Sequence, residues 1–277
     1  MGAKWTQFFP PKPALTKENF PSQAGKVLIV TGGNTGIGFE LVKILYSKGG
    51  TVYTAARSVE SISNAITSIK SECQTSEPKG KLKSLVVNLS DLNLVSVAAA
   101  SFLGQETRLD VLFNNAGIAQ VPAGSLSTAR NLPKGWVRIV WTSSSIVDIA
   151  GPPGGVSLDE LIPGNYNEDK AHNYSASKAG NRMLASEFSK RHCESEGIIS
   201  ITQNPGNLKT KSWDTVPLLK FIFGPLLHDA RFGAYTEIWC GMSEEVKVED
   251  GGRFAIPWGR WHPDPRKDVL ESLKGKD

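Results

Sequence analysis

The chain is poor in cysteine, histidine and methionine, with 3, 4 and 3 of its 277 residues respectively. Cys73, Cys193 and Cys240 are odd in number and widely separated, so a disulfide framework is not expected. No histidine stands at ligand spacing from them, which argues against a metal site. Both points fit a reducing compartment, and a cytoplasmic location is the expectation. Long apolar runs are missing too. No stretch approaches the eighteen residues of a membrane span, and no apolar run of seven or more precedes Pro10-Pro11, so neither a spanning helix nor a secretory leader is expected. Nor is there a block of like charge. Thirty-one Lys and Arg interleave with 27 Asp and Glu to leave a net +4, which argues against nucleic acid as a partner. Internal repeats and low-complexity segments are absent.

What remains is a chain that is 40% hydrophobic and long enough for one large core. One domain over residues 1–277 is expected, with residues 1–25 as an N-terminal arm and 258–277 as a C-terminal tail. The Pro-rich stretch 10–21 and the basic tail from Arg260 are expected outside the core, with Trp258 and Trp261 packed against a sheet edge. The run Val27-Leu28-Ile29-Val30 reads as a strand buried on both faces, and residues 37–48 repeat apolar positions at helical spacing. Further strands are expected over 51–56, 82–88, 109–114, 136–142, 198–203 and 253–256. Helices are expected over 58–71, capped by Ser58, and over 91–103, 174–191 and 231–242. Strands alternating with helices imply an α/β, doubly wound parallel sheet with right-handed crossovers.

Two motifs carry chemistry. Directly behind the first strand stands Thr31-Gly32-Gly33-Asn34-Thr35-Gly36-Ile37-Gly38. Glycines there let the backbone turn tightly and approach a ligand, while the next helix aims unpaired N–H groups at a phosphate. The second is Tyr174-Ser175-Ala176-Ser177-Lys178. On a helix Tyr174 and Lys178 share a face, and the ammonium is expected to lower the phenol's pKa enough for proton transfer near neutral pH.

The TGxxxGxG spacing resembles the short-chain dehydrogenase/reductase family. So do Asn114-Asn115-Ala116-Gly117 on the fourth strand, Thr142-Ser143-Ser144-Ser145 after the fifth, YxxxK at Tyr174 and Lys178, and Asn204-Pro205-Gly206 after the sixth. The resemblance covers roughly residues 25–257 and is most similar to the retinol-dehydrogenase-like branch, fungal members especially. It implies a single-domain Rossmann fold and an oxidoreductase interconverting an alcohol and a carbonyl. It also implies Tyr174 as acid/base, Lys178 as its tuner and holder of the nicotinamide ribose, and Ser144 as the hydrogen-bond donor to the substrate oxygen.

Cofactor contacts are implied for Gly32, Asn34, Gly36, Ile37 and Gly38, for Asn88 and Leu89, for Asn115, Ala116 and Gly117, for Tyr174 and Lys178, and for Pro205 and Gly206. Where an NAD-binding sheet carries an acid for the ribose hydroxyl, this chain has Arg57-Ser58, so NADP (NADPH) is favoured over NAD. The apolar segment 209–228 is expected to cover the pocket, which points to a small apolar alcohol or carbonyl substrate. A membrane surface and a homo-oligomer stay open as partners. Met1-Gly2-Ala3-Lys4-Trp5-Thr6 matches the loose myristoylation pattern, which many sequences match by chance.

One segment departs from the family. Only residues 118–137 separate Gly117 from Arg138, and 125–131 is the sole helical candidate there before Pro133. Seven helical residues span about 10 Å, against about 17 to 20 Å for a typical strand. One face of the fourth and fifth strands is therefore expected to be poorly covered. The family's asparagine on that helix, which supports a water chain to the lysine, has no match, and neither Asn114, Asn115 nor Asn131 is given its role. The alternative reading is a cofactor-binding or interaction protein with impaired catalysis.

Overall fold

The computed structural model describes residues 3–74, 80–89, 91–116, 133–162, 165, 167–210 and 224–274. The strands are β1 (Val27–Thr31), β2 (Thr51–Ala56), β3 (Lys81–Val86), β4 (Val111–Asn114), β5 (Arg138–Thr142), β6 (Ile199–Gln203), β7 (Phe254–Ile256) and β8 (Arg260–Trp261). The helices are α1 (Ala3–Phe8), α2 (Gly36–Ser47), α3 (Val59–Glu72), α4 (Leu92–Leu103), α5 (Ile146–Ala150), α6 (Lys170–Glu196), α7 (Ala230–Met242) and α8 (Lys267–Lys274).

Among the described residues the sheet order is β3-β2-β1-β4-β5-β6-β7-β8, parallel throughout except for β8, which returns antiparallel on β7. This is a Rossmann sheet. Its order reverses direction between β1 and β4, and open sheets of this kind bind ligands in the crevice beyond the strand ends at that point. Strands β1, β4 and β6 are buried along their whole length, β1 and β4 through their apolar runs and β6 with Ser200, Thr202 and Gln203 buried as well.

Local signals set several helix ends. Ser58 accepts from the Ser61 N–H at the head of α3, and Asp91 from the Asn93 N–H at the head of α4. Helix α6 starts four residues before Tyr174 because Asp169 caps it, and it stops at Gly197, which takes φ +67°.

Three expectations are corrected. The N-terminal stretch does not stand off the core: Phe20 is buried against the α2 side, and Gln7 is buried among Asp148, Asn204 and His262. The tail is built in as well, with Val269 fully buried, while Trp261 packs as expected, edge-on to Trp239 at 4.9 Å. Nor is the sheet bare over β4 and β5. Leu112, Ile139 and Trp141 are buried in one cluster with Phe102 of α4 and Ala185 of α6. The apolar exposure appears one layer further out, on Leu94, Val97 and Leu103 of α4 and Leu184 of α6. Gly117, the stretch 125–131 and most of the expected pocket cover lie outside the described residues.

Candidate active site

The β1–α2 turn is shaped by what its glycines omit. Gly32 and Gly36 take φ of +66° and +58°, where a side chain is strained. A Cβ on Gly38 would lie 2.4 Å from the Gly32 carbonyl oxygen and 2.6 Å from Asn115 Nδ2, so only glycine lets α2 start this close to β4. Thr35 makes no side-chain cap, which leaves the first N–H groups of α2 for a ligand. A bare concavity at a helix N-terminus fits the diphosphate of a dinucleotide.

The neighbouring strand ends complete the crevice. Asn115 donates from Nδ2 to the Thr31 carbonyl (2.9 Å), and the Ala116 N–H donates to Thr31 Oγ1 (3.1 Å), which ties the end of β4 to the turn. Asn34 Nδ2 donates to Ser61 Oγ at 3.2 Å. Arg57 follows β2 and is exposed, while Ser58 accepts from Ser61 and keeps its own O–H to donate. Asn88 and Leu89 follow β3, and Ile37 lies in the first turn of α2. Pro205 and Gly206 follow β6, where Gly206 takes φ +97° and donates its N–H to Asn204 Oδ1 at 3.1 Å. A Cβ there would meet Pro257 at 3.1 Å. Beside this turn, Phe232 stacks on Trp258 at 4.6 Å and His228 meets the same indole edge-on at 4.8 Å, forming an aromatic wall.

Ser144, Tyr174 and Lys178 come together between the end of β5 and α6. The Ser144 hydroxyl lies beside that of Tyr174 and acts to lower its pKa. The other two serines face elsewhere: Ser143 is buried and donates to the Lys178 carbonyl at 2.8 Å, and Ser145 is buried at the head of α5. Tyr174 is 50% exposed and faces the opening, while Lys178 is buried beneath it with Nζ 5.7 Å from the ring centre. That ammonium donates to the Thr142 carbonyl oxygen (3.2 Å), which also accepts from Asn181 Nδ2 (2.8 Å).

The electrostatics differ from the sequence expectation. Desolvation raises the Tyr174 phenol above its ordinary value and outweighs the opposing pull of the Ser144 hydroxyl. Burial lowers the Lys178 ammonium, an effect partly offset by the charge of Glu237. Sequence reasoning missed Glu237 altogether, along with its partner Gln203. The only available signal was one carboxylate in the otherwise uncharged run 232–242. The Gln7–Asp148–His262 cluster left none, because its members are far apart in the chain.

A cleft of about 960 Å³ lies elsewhere, between α6, β7 and α8, and Arg182, Ser189, Arg253 and Lys274 line it. The glycine turn, Ser144, Tyr174 and Lys178 take no part in that cleft.

Residues 26–141 match the family model described as short chain dehydrogenase. A short-chain dehydrogenase/reductase of Pestalotiopsis fici is 39% identical over 300 residues, covering 97% of this chain and 91% of that protein. One from Phomopsis amygdali is 37% identical, covering 93% of this chain and 86% of the relative. The chain belongs to the short-chain dehydrogenase/reductase family. Among solved structures, the Pseudomonas aeruginosa RhlG/NADP active-site complex superposes with a TM-score of 0.61 at 20% identity, covering 87% of this chain and 98% of that one. L-Sorbose reductase from Gluconobacter frateurii, complexed with NADPH and L-sorbose, gives 0.61 at 17% identity, covering 88% and 99%. These likenesses establish the Rossmann fold. Among the described residues no helix is long and apolar enough to cross a membrane.

Proposed function

We propose that the protein is an NADP-dependent oxidoreductase that interconverts an alcohol and a ketone or aldehyde on a small apolar substrate, with Tyr174 as acid/base. The observation that carries this reading is the Ser144 and Tyr174 hydroxyls side by side, with the buried ammonium of Lys178 beneath Tyr174, at the same end of the parallel strands as the bare glycine turn. Two neighbouring hydroxyls define a point where a single substrate oxygen can accept from both. In the reducing direction Tyr174 gives its proton to that oxygen and Ser144 holds the oxygen by donating to it. Lys178, held by the Thr142 carbonyl, stabilises the phenolate that remains. The nicotinamide would supply the hydride. Gly32, Gly36 and Gly38 would hold its diphosphate, and Arg57 with Ser58 the ribose 2′-phosphate.

Several features support the finer points. Arg57 is exposed at the end of β2, and the solved neighbours named above were bound to NADP(H). The wall of His228, Phe232 and Trp258 suits an apolar substrate. The match to the Pestalotiopsis protein runs over more residues than this chain possesses, which fits a segment shortened after Asn114-Asn115-Ala116-Gly117. A place in the retinol-dehydrogenase-like branch and a cytoplasmic location belong to the same reading. The test is NADPH oxidation with a panel of apolar aldehydes and ketones, run beside Tyr174→Phe. Turnover that disappears in the variant while NADPH still binds supports the reading. NADPH binding without Tyr174-dependent turnover makes the protein a cofactor-binding one instead.

A further inference from the structure

Glu237 is fully buried in the middle of α7, between Thr236 and Ile238. Its Oε1 accepts from Thr142 Oγ1 at 2.6 Å and from Gln203 Nε2 at 2.8 Å, and Gln203 Nε2 also donates to Thr142 Oγ1 at 3.0 Å. The other oxygen, Oε2, is buried without a partner. Thr142 is the shared residue: its hydroxyl holds the Glu237 carboxyl from one side, and its carbonyl oxygen holds Lys178 Nζ from the other. Among the described residues no carboxylate lies at ion-pair distance from Lys178, and Glu237, reached through Thr142, is the acid whose charge acts on its buried ammonium.

An isolated buried charge is costly, and two opposite ones lower that cost for each other. The remaining ionisable groups around the helix do not compete for this role. Arg138 of β5 donates to the Cys240 and Ser243 carbonyls at the far end of α7. The Cys240 thiol on the same helix is pushed up by burial and stays neutral. On α2, Lys43 pairs with Glu40 and, beyond it, with Glu72 of α3.

Resting on the reading given under Proposed function, we propose that Glu237 is the counter-ion of Lys178: a positioning residue that keeps the lysine cationic beside Tyr174 and, by taking up a proton, weakens the site at low pH. Burial raises the Glu237 carboxyl to about 7, with Thr142, Lys178 and Gln203 all pulling the other way. The pair therefore changes charge in the range where the enzyme would work. Below that range Glu237 is neutral, Lys178 has lost its facing carboxylate, and the phenolate of Tyr174 is less well stabilised.

The test uses the whole chain labelled with [δ-13C]glutamate, followed by carbon NMR against pH, with the Glu237 resonance assigned by its loss in Glu237→Gln. If that variant does not fold, Glu237→Asp makes the assignment. The proposal predicts a midpoint near 7 in the native chain, moved up by at least one pH unit in Lys178→Met. A midpoint that Lys178→Met leaves in place overturns it. In turnover, Glu237→Gln should lower kcat about tenfold above pH 7.5 with KM little changed, and should abolish the acid limb near 7. An acid limb that survives the substitution also overturns the proposal. The NMR shift requires no turnover, so the pairing stands or falls separately from the enzyme reading.

Discussion

Asn204 Nδ2 donates to Gln7 Oε1 across 2.7 Å, which joins the first helix of the chain to the turn carrying Pro205 and Gly206. The other face of the same Asn204 amide accepts from the Gly206 N–H at 3.1 Å. Gln7 Nε2 also lies 3.2 Å from His262 Nε2 and 3.4 Å from Asp148 Oδ2. The His262 ring is oriented by its surroundings: Nδ1 accepts from the Asp264 N–H at 3.2 Å, so the ring proton sits on Nε2 and goes to Asp148 at 3.0 Å. Burial pushes the Asp148 carboxyl up, but the hydrogen bonds from His262 and Gln7 more than offset this and hold it below its ordinary value.

Gln7→Ala should therefore destabilise the whole domain rather than a terminal arm. It leaves the buried Asn204 amide without its acceptor, a loss of about 1–3 kcal/mol. For a chain of this length each kcal/mol shifts Tm by roughly 2–4 °C, which scanning calorimetry resolves. An unchanged Tm would mean that α1 is dispensable.

Gly38→Ala and Gly36→Ala should separate steric from conformational demand in the cofactor turn. At Gly38 the new methyl meets the Gly32 carbonyl at 2.4 Å, so α2 has to move away from β1, and NADPH affinity should fall at least tenfold. At Gly36 the nearest side-chain atom is 3.8 Å away and only the φ of +58° resists. That variant should cost about 1 kcal/mol of stability and much less affinity. Fluorescence titration with NADPH ranks the two.

Arg57→Ala should weaken NADPH binding by tenfold or more and leave NADH nearly unchanged, because the exposed guanidinium would pair with the 2′-phosphate alone. Equal losses for both cofactors would contradict that assignment.

Stability should depend on pH through Glu237. Its folded value of about 7 lies above the ordinary 4.5, so between those limits the folded chain holds a proton that the unfolded chain has released. The contribution is fully present below pH 4.5 and is lost as pH rises through 7, amounting to about 3 kcal/mol. Glu237→Gln should flatten that part of the profile in urea titrations run from pH 4.5 to 8.

Much of this architecture could be read in the sequence, because its causes are local. Ser58 and Asp91 announce helix starts by bonding backbone groups two or three residues away, and the run at 27–30 is buried wherever a parallel sheet places it. Gly38 is legible for a similar reason, since the turn joining β1 to α2 is only four residues long, 32–35. Long-range partners were not legible. Nothing around Gln7 or Phe20 signals burial, because their partners lie elsewhere in the chain. The cover over β4 and β5 was misjudged by asking one helix to provide it, whereas Phe102 of α4 and Ala185 of α6 reach in from either side. The direction of the Tyr174 shift was missed too. A shared helix face brings the lysine near, but the Thr142 carbonyl holds its ammonium, and desolvation then decides the sign.

The most direct test of the central claim is NADPH oxidation by the purified chain with an apolar ketone or aldehyde, measured beside Tyr174→Phe, with NADPH affinity determined for both. The account predicts carbonyl-dependent oxidation in the native chain, a fall of at least a hundredfold in the variant, and NADPH affinity within about threefold between them. Oxidation that continues unchanged in Tyr174→Phe, or its absence in a native chain that binds NADPH tightly, would contradict it.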